Sequence, residues 1–252
     1  MSRVALITGG GGDIGAATGR ALAAAGWIVV LADLDAEAAR AAAEDIAGAE
    51  GRFLDVADTG SFPAFVDGIG ADHGRVDALV CAAGVEPPHT LADLDVAAWD
   101  HTLEVNLRGP ALLAQATLPW WRRAGGGSLV NIGSRTWLGG AHPAYAASKA
   151  GLVGLTRSLA LELAGLGVRV NAVAPSFVPT RFARQRGDAA VVAEFAEQVR
   201  RTSPLGRLVT PEDVAAAVAF LVSDGAAMIT GEVLHVCGGT QLPAFPRRAV
   251  PA

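Results

Sequence analysis

Short, unbroken runs of Val, Ile and Leu recur along this chain, and alanine-rich segments with helical spacing separate them. The clearest runs are 4–8, 27–32, 76–81, 128–132, 168–173 and 233–236, with a weaker one at 52–54. A strand with one face in water alternates apolar and polar residues, whereas a continuous apolar run reads as a strand covered on both faces. Strand–helix alternation along the whole length therefore predicts an α/β fold. The expected architecture is a Rossmann-like, doubly wound parallel β-sheet of about seven strands, flanked by helices on both faces. No repeat, low-complexity tract or Pro/Ser-rich linker interrupts the rhythm, so residues 1–252 read as a single domain. Two stretches depart from it. Residues 176–204, proline-bounded with an Arg-rich middle, read as a mobile segment over a ligand site. Residues 240–252, with Pro243, Pro246 and Pro251, read as a C-terminal tail on the surface or against another subunit.

Composition narrows the function classes. With 51% apolar and 18% charged residues the chain is not disordered, and a chain of this size buries roughly 70–75% of its unfolded surface. A net charge of −5, with no basic cluster beyond pairs such as Arg122-Arg123, argues against nucleic acid as a partner. Cys81 and Cys237 stand far apart and the five histidines never fall at ligand spacing, so neither a disulfide framework nor a metal site is expected. The apolar run after Met1 is short, and no stretch approaches the ~18 residues that span a bilayer. A soluble, cytoplasmic protein without a membrane partner is the expectation.

The first run leads into Thr8-Gly9-Gly10-Gly11-Gly12-Asp13-Ile14-Gly15, followed by an alanine-rich helix over 16–25. Glycines there let the backbone approach a pyrophosphate, and a helix N-terminus offers N–H groups and partial positive charge; a flexible glycine turn is the plainer alternative. The second run ends at Asp33, eighteen residues past Gly15. A carboxylate at that place accepts from both adenosine ribose hydroxyls and repels a 2′-phosphate, which favours NAD over NADP. Asp33 or Asp35 also suits the cap of the next helix, Asp35 being the better placed.

The sharpest signal lies further on. The chain contains one tyrosine, Tyr145, and one lysine, Lys149, four residues apart. Chance would give that ordered spacing on the order of once in 250 placements. Pro143 after His142 marks a helix start, and four helical residues advance ~6 Å and about 40° around the axis, so the two side chains share a face. A phenol, with a reference pKa near about 10, is a poor base at neutral pH. A neighbouring ammonium and the positive helix end both favour its phenolate, and the pair can then abstract an alcohol proton. Ser134 follows the strand run 128–132, where doubly wound sheets place their ligands; it suits a substrate-orienting hydroxyl or an ordinary turn serine. Asn106 interrupts an apolar helical stretch, where a buried amide needs partners and suits a proton relay through water.

These residues together resemble the short-chain dehydrogenase/reductase family, in its compact single-domain branch, from Thr8 to Gly239. The matching pieces are the glycine loop, Asp55-Val56, Ala82-Ala83-Gly84, Asn106, Ser134, Tyr145-x-x-x-Lys149, Asn171 through Pro175, Thr180, and Gly231 through Gly239. The resemblance implies Tyr145 as acid/base, Ser134 as substrate orienter, Lys149 as ribose anchor and field, and Asn106 as relay member. It places Gly9, Gly12, Asp13, Ile14, Gly15, Asp33, Asp55, Val56, Ala82, Ala83, Gly84, Pro175 and Thr180 around the cofactor, with Asp55 at the adenine and Thr180 at the nicotinamide amide. Asp55 and Thr180 also suit simple helix capping. Asp13 stands where the loop's middle glycine is usual, and Cys81-Ala82 where two asparagines are usual. Ser134 and Tyr145 are closer in sequence than is common in the family.

The leading expectation is an NAD-dependent enzyme that interconverts a secondary alcohol and a ketone. A 3-oxoacyl-carrier-protein reductase is the enzymatic alternative, and a non-catalytic NAD-binding module the alternative from another class. Glu86, Arg135, Trp137, His142, Phe177 and Phe182 are the candidate walls of the substrate pocket. Trp120 and Trp121, adjacent in a helix, cannot share a face, so one is expected inside and the other at a surface or interface. The resemblance implies a homotetramer.

Overall fold

The computed structural model describes residues 2–184 and 188–242; the tail from 243 onward lies outside the described residues. Strands β1 (Val4–Thr8), β2 (Ile28–Asp33), β3 (Ala49–Phe53), β4 (Ala78–Cys81), β5 (Gly127–Ile132), β6 (Val168–Pro175) and β7 (Val233–Val236) form one sheet. Its order is β3-β2-β1-β4-β5-β6-β7, and every neighbouring pair is parallel. Each apolar run is thus a strand, and the bounds shift for local reasons. Val76 and Asp77 precede β4 because the Asp77 carboxylate accepts from Val4 N at 2.8 Å and from the Arg75 guanidinium. The weak run at 52–54 belongs to a longer strand, β3, whose Gly51 lies directly against the backbone of Ala39 and Arg40. Backbone contact there replaces the apolar side chains that would have announced the strand.

Helices α1 (Asp13–Ala24), α2 (Ala36–Glu44), α3 (Phe62–His73), α4 (Val96–Leu103) and α5 (Gly109–Ala124) precede α6 (Thr136–Gly139) and α7 (Pro143–Leu163). Helices α8 (Arg181–Arg184), α9 (Ala189–Thr202) and α10 (Pro211–Val222) follow. Alternate residues of β1 enter opposite cores, which is how a strand with a period of two serves two helical layers. Ala5 and Ile7 pack with Leu22 of α1 and with Val214, Val218 and Leu221 of α10. Val4 and Leu6 pack with Phe62 and Ile69 of α3, Leu113 of α5 and Leu163 of α7. A fully buried side chain of this kind contributes about 1.5–3 kcal/mol.

Between α4 and α5 a π-helical turn, Glu104–Arg108, carries Asn106. Trp121 of α5 is fully buried, while the Trp120 indole donates to Asp67 at 2.9 Å and fits against Gly70, where no Cβ could stand. The stretch 176–204 holds α8 and α9, and Phe177, Ala183 and Val199 form a small apolar cluster apart from the two main cores. Among the described residues no helix is long and apolar enough to cross a membrane.

Candidate active site

The strand order reverses direction of winding between β1 and β4, and ligands of such sheets bind at that crest. Gly9, with φ +66°, places its backbone where an added Cβ would stand 2.7–2.9 Å from Ala82 and Ala83, and a Cβ on Gly15 would overlap the Gly9 carbonyl. Gly12 N donates to Gly9 O at 3.1 Å, and Gly10 N to Ala32 O at 3.0 Å. The loop is therefore packed backbone on backbone. Gly12 caps α1 without a side chain, so the first-turn N–H groups of Asp13, Ile14 and Gly15 face a site suited to an anion.

Asp13 in place of a glycine causes no strain, because no residue other than glycine has positive φ among the described residues and Asp13 is simply the first residue of α1. Its carboxylate accepts from Arg181 N at 2.6 Å and stands 3.7 Å from the Arg181 guanidinium, which also bonds Gly11 O. The start of α8 is thereby tied to the glycine loop. Asp33 accepts from Gly11 N and from Asp35 N, each at 3.0 Å. Asp35 caps α2 through Glu37 N and Ala38 N. Capping falls to Asp35, and a carboxylate with about four lone-pair sites keeps two beyond those that Asp33 uses here. Asp55 accepts from Ala57 N at 2.8 Å in a tight turn, and Val56 O lies against Gly109. Thr180 Oγ1 accepts from Ala183 N at 3.2 Å, a capping bond for α8. Pro175 ends β6, and its carbonyl accepts from Arg135 N at 2.8 Å. These residues suit a dinucleotide: a glycine cradle that a Cβ would fill, a helix N-terminus, and a carboxylate at the β2 crest.

Tyr145 and Lys149 lie on the buried face of α7. Lys149 Nζ donates to Ile132 O at 2.9 Å and stands 5.5 Å from the centre of the Tyr145 ring. The lysine thus joins α7 to the end of β5, two residues before Ser134. Burial pushes the Lys149 pKa down to about 8, and the negative charge of Glu86 opposes that fall. Burial also pushes the Cys81 thiol up to about 12, so it stays protonated at neutral pH. Gly84 sits between the two halves of this corner: a Cβ there would come 3.2 Å from Asn106 Oδ1 and 3.7 Å from Lys149 Nζ.

Asn106 has its amide bonds assigned. Its Oδ1 accepts from Val85 N and its Nδ2 donates to Val85 O, both at 2.9 Å, and Nδ2 also donates to Ser148 Oγ at 3.0 Å. Ser148 Oγ in turn donates to Tyr145 O at 2.7 Å. The side chain expected to hold water for a relay thus braces the β4 crest to α7. Ser134 Oγ accepts from Thr136 N at 3.3 Å, and Gly133 N donates to Val173 O at 2.7 Å. The short span from Ser134 to Tyr145 is closed by α6 and by Gly140, at φ +81°, whose N–H bonds Thr136 O at 2.8 Å.

The candidate wall residues divide. Glu86 and His142 come together, His142 Nδ1 lying 3.3 Å from Glu86 Oε1. Trp137 packs on Val153, Ala172, Ala174 and Val233 and stacks on His235, with ring centres 5.9 Å apart. Arg135 reaches Thr240 O at 3.5 Å. Phe177 meets Phe195 edge to face, and Phe182 is exposed. Trp137 and Arg135 therefore sit toward the β6–β7 side rather than beside Glu86. Two contributors carried no signal in the sequence. Ser148 is one serine among several, and Thr8 Oγ1 accepts from Ala83 N at 3.3 Å, bracing the crest where the family's usual asparagines are missing.

Comparison with known proteins accords with this geometry. A family model described as enoyl-(acyl carrier protein) reductase matches residues 11–241. D-threitol dehydrogenase of Mycolicibacterium smegmatis is 40% identical over 243 residues, covering 94% of this chain and 92% of the relative. Cis-4-hydroxycyclohexanecarboxylate dehydrogenase of Sinomonas cyclohexanicum is 42% identical over 248 residues, covering 94% and 96%. The crystal structure of 3-ketoacyl-(acyl-carrier-protein) reductase from Brucella melitensis complexed with NADH superposes with a TM-score of 0.87 at 30% identity, covering 95% of this chain and 98% of that one. With its seven-stranded parallel sheet and these relatives, the chain belongs to the short-chain dehydrogenase/reductase family, a family of oxidoreductases.

Proposed function

We propose that the protein is an NAD-dependent oxidoreductase that interconverts a secondary alcohol and a ketone, with Tyr145 as the general acid/base. The observation that carries this reading is the buried Lys149 ammonium, pinned to Ile132 O at 2.9 Å and held 5.5 Å from the Tyr145 ring centre. A positive charge there stabilises a phenolate, and each unit by which it lowers a phenol pKa is worth about 1.4 kcal/mol. Since Lys149 sits at about 8, it keeps its proton at neutral pH. In the oxidative direction Tyr145 takes the hydroxyl proton while Ser134 orients the same oxygen. Asn106 and Ser148 keep the relay corner in place. NAD held by these residues would supply the acceptor for the hydride that leaves the carbinol carbon. Gly9, Gly12, Asp13, Ile14 and Gly15 cradle its pyrophosphate and Asp33 holds the adenosine ribose, excluding a 2′-phosphate. Asp55 and Val56 lie toward the adenine, while Ala82, Ala83, Gly84, Pro175 and Thr180 line the nicotinamide end. Two relatives named as dehydrogenases and a neighbour complexed with NADH support the class of reaction and a nicotinamide cofactor. A cytoplasmic homotetramer completes the reading.

The test measures nicotinamide reduction with NAD⁺ and NADP⁺ against cyclic, aryl and polyol secondary alcohols. Tyr145→Phe is expected to lower kcat by about 10²–10⁴ while dinucleotide binding persists. Turnover retained within a factor of about ten would remove the tyrosine from the chemistry, and preference for NADP⁺ would remove the role given to Asp33. The neighbour's name favours a 3-oxoacyl thioester as a second substrate class, so that thioester with NADPH belongs in the same panel.

A further inference from the structure

We propose that Glu86 and His142 form a carboxylate–imidazole pair that binds a second hydroxyl of the substrate, so that the alcohol oxidised beside Tyr145 is a neutral diol or polyol. The inference rests on the secondary-alcohol reading above. Glu86 directly follows Val85, whose N–H and C=O are both bonded to Asn106 at 2.9 Å, so its backbone leaves the β4 crest from a fixed point. Its side chain is 1% exposed, that of His142 is 32% exposed, and Glu86 Oε1 lies 3.3 Å from His142 Nδ1. The imidazole is thus the part-exposed member of the pair, with the buried carboxylate behind it. His142 is the N-cap of α7, three residues before Tyr145 and with an extended ψ of 136°, so it stands at the N-terminal end of the helix that carries the phenol. His89 backs the pair: its ring centre is 6.1 Å from that of His142, and its Nδ1 is buried with no hydrogen-bond partner among the described residues.

The chemistry follows from the partner of each nitrogen. The Glu86 carboxylate 3.3 Å away makes no hydrogen bond to Nδ1, but its charge attracts a proton there and so favours the tautomer that leaves Nε2 as an acceptor. An acceptor on the residue that opens the helix of the proposed acid/base suits a further hydroxyl of the same substrate. The carboxylate behind the ring disfavours an anionic substrate group at the same place. Helix capping does not account for the residue, since His142 makes no side-chain capping bond to α7. In this arrangement His142 touches the substrate hydroxyl and Glu86 is the positioning residue.

The experiment compares kcat/KM with NAD⁺ for two pairs that differ in one hydroxyl, butane-2,3-diol against butan-2-ol and cyclohexane-1,2-diol against cyclohexanol. Wild type, Glu86→Gln and His142→Ala are measured, and thermal unfolding checks each variant. Wild type is expected to favour the diols by about 100-fold, and each variant to cut that ratio by about tenfold or more, chiefly through KM for the diol. A general structural disturbance would slow both members of a pair and leave the ratio alone. Should Glu86→Gln unfold, His142→Ala carries the test, because its side chain is part-exposed and caps nothing. Ratios unchanged in the variants, or a wild type that oxidises the mono-ols as well as the diols, overturn the pair and leave the alcohol reading standing. Oxidation of no secondary alcohol overturns both.

Discussion

The two sides of the crest are held by different kinds of contact. On the β1–β2 side, Gly9 lies against Ala82 and Ala83, Gly15 against Gly9, and Gly10 against Leu31, with spacings that leave no room for a Cβ. On the β6–β7 side, side chains do the holding: Phe177, Ala183 and Val199 form their own small cluster, Phe177 meets Phe195, and Arg181 reaches across to Asp13. Backbone-on-backbone packing tolerates one residue type, because anything larger than hydrogen displaces main chain. Side-chain clusters can be refilled with other apolar residues of similar volume. The β1–β2 side thus admits few changes of residue, whereas the β6–β7 side can be repacked with other side chains.

The strongest way to break this contrast is Gly15→Ala. Its Cβ would overlap the Gly9 carbonyl, so dinucleotide affinity is expected to fall at least about 100-fold or the chain to lose its cooperative unfolding transition. Normal binding by fluorescence titration would mean that the loop relaxes easily. Asn106→Ala comes next. It leaves Val85 N, Val85 O and Ser148 without their amide partner, and a loss of about 3–5 kcal/mol is expected in denaturant unfolding. A change below about 1 kcal/mol would show that the brace is dispensable.

Lys149 sharpens the comparison through pH. Its folded pKa of about 8 lies below the ordinary 10.5, so between these values the unfolded chain binds more protons than the folded one. Stability from this group therefore rises with pH across that window, by up to about 3 kcal/mol, and the rise is absent in Lys149→Met. Parallel unfolding curves for the two proteins from pH 8 to 10.5 would contradict the burial argument. The smallest effect is expected on the β6–β7 side. Arg181→Ala removes an exposed pair with Asp13 and the guanidinium bond to Gly11 O but keeps the backbone bond to Asp13, and should cost about 1 kcal/mol, with a shift of a few-fold at most in dinucleotide affinity. A larger loss would show that this tie, and not only the glycine packing, holds the loop.

Legibility in the sequence followed the same divide. The sheet was readable because burial on both faces demands unbroken apolar runs, and the pairing of Tyr145 with Lys149 because they are the chain's sole residues of their types. Strand β3 was faint because Gly51 packs by its backbone, which leaves no hydrophobic signature. The role of Asn106 needed coordinates, since a π-turn changes which way a helical side chain faces and so which groups it meets. Trp137 illustrates the converse: the sequence placed it near Ser134, and only coordinates show that its ring packs against β6 and β7 and stacks on His235.

Local chemistry by itself determined the parallel sheet, the phosphate-suited loop and the helix that carries the phenol and the amine. Those features depend on periodicity, glycine freedom and spacing within one turn, all of which act over a few neighbouring residues. Tertiary structure alone decided that Glu86 meets His142 and that Ser148 links Asn106 to the Tyr145 backbone. It also decided that Thr8 braces a crest lacking its usual amides. Each of these contacts joins segments far apart in the chain, and no local preference records which distant partner a polar group will find when the sheet closes.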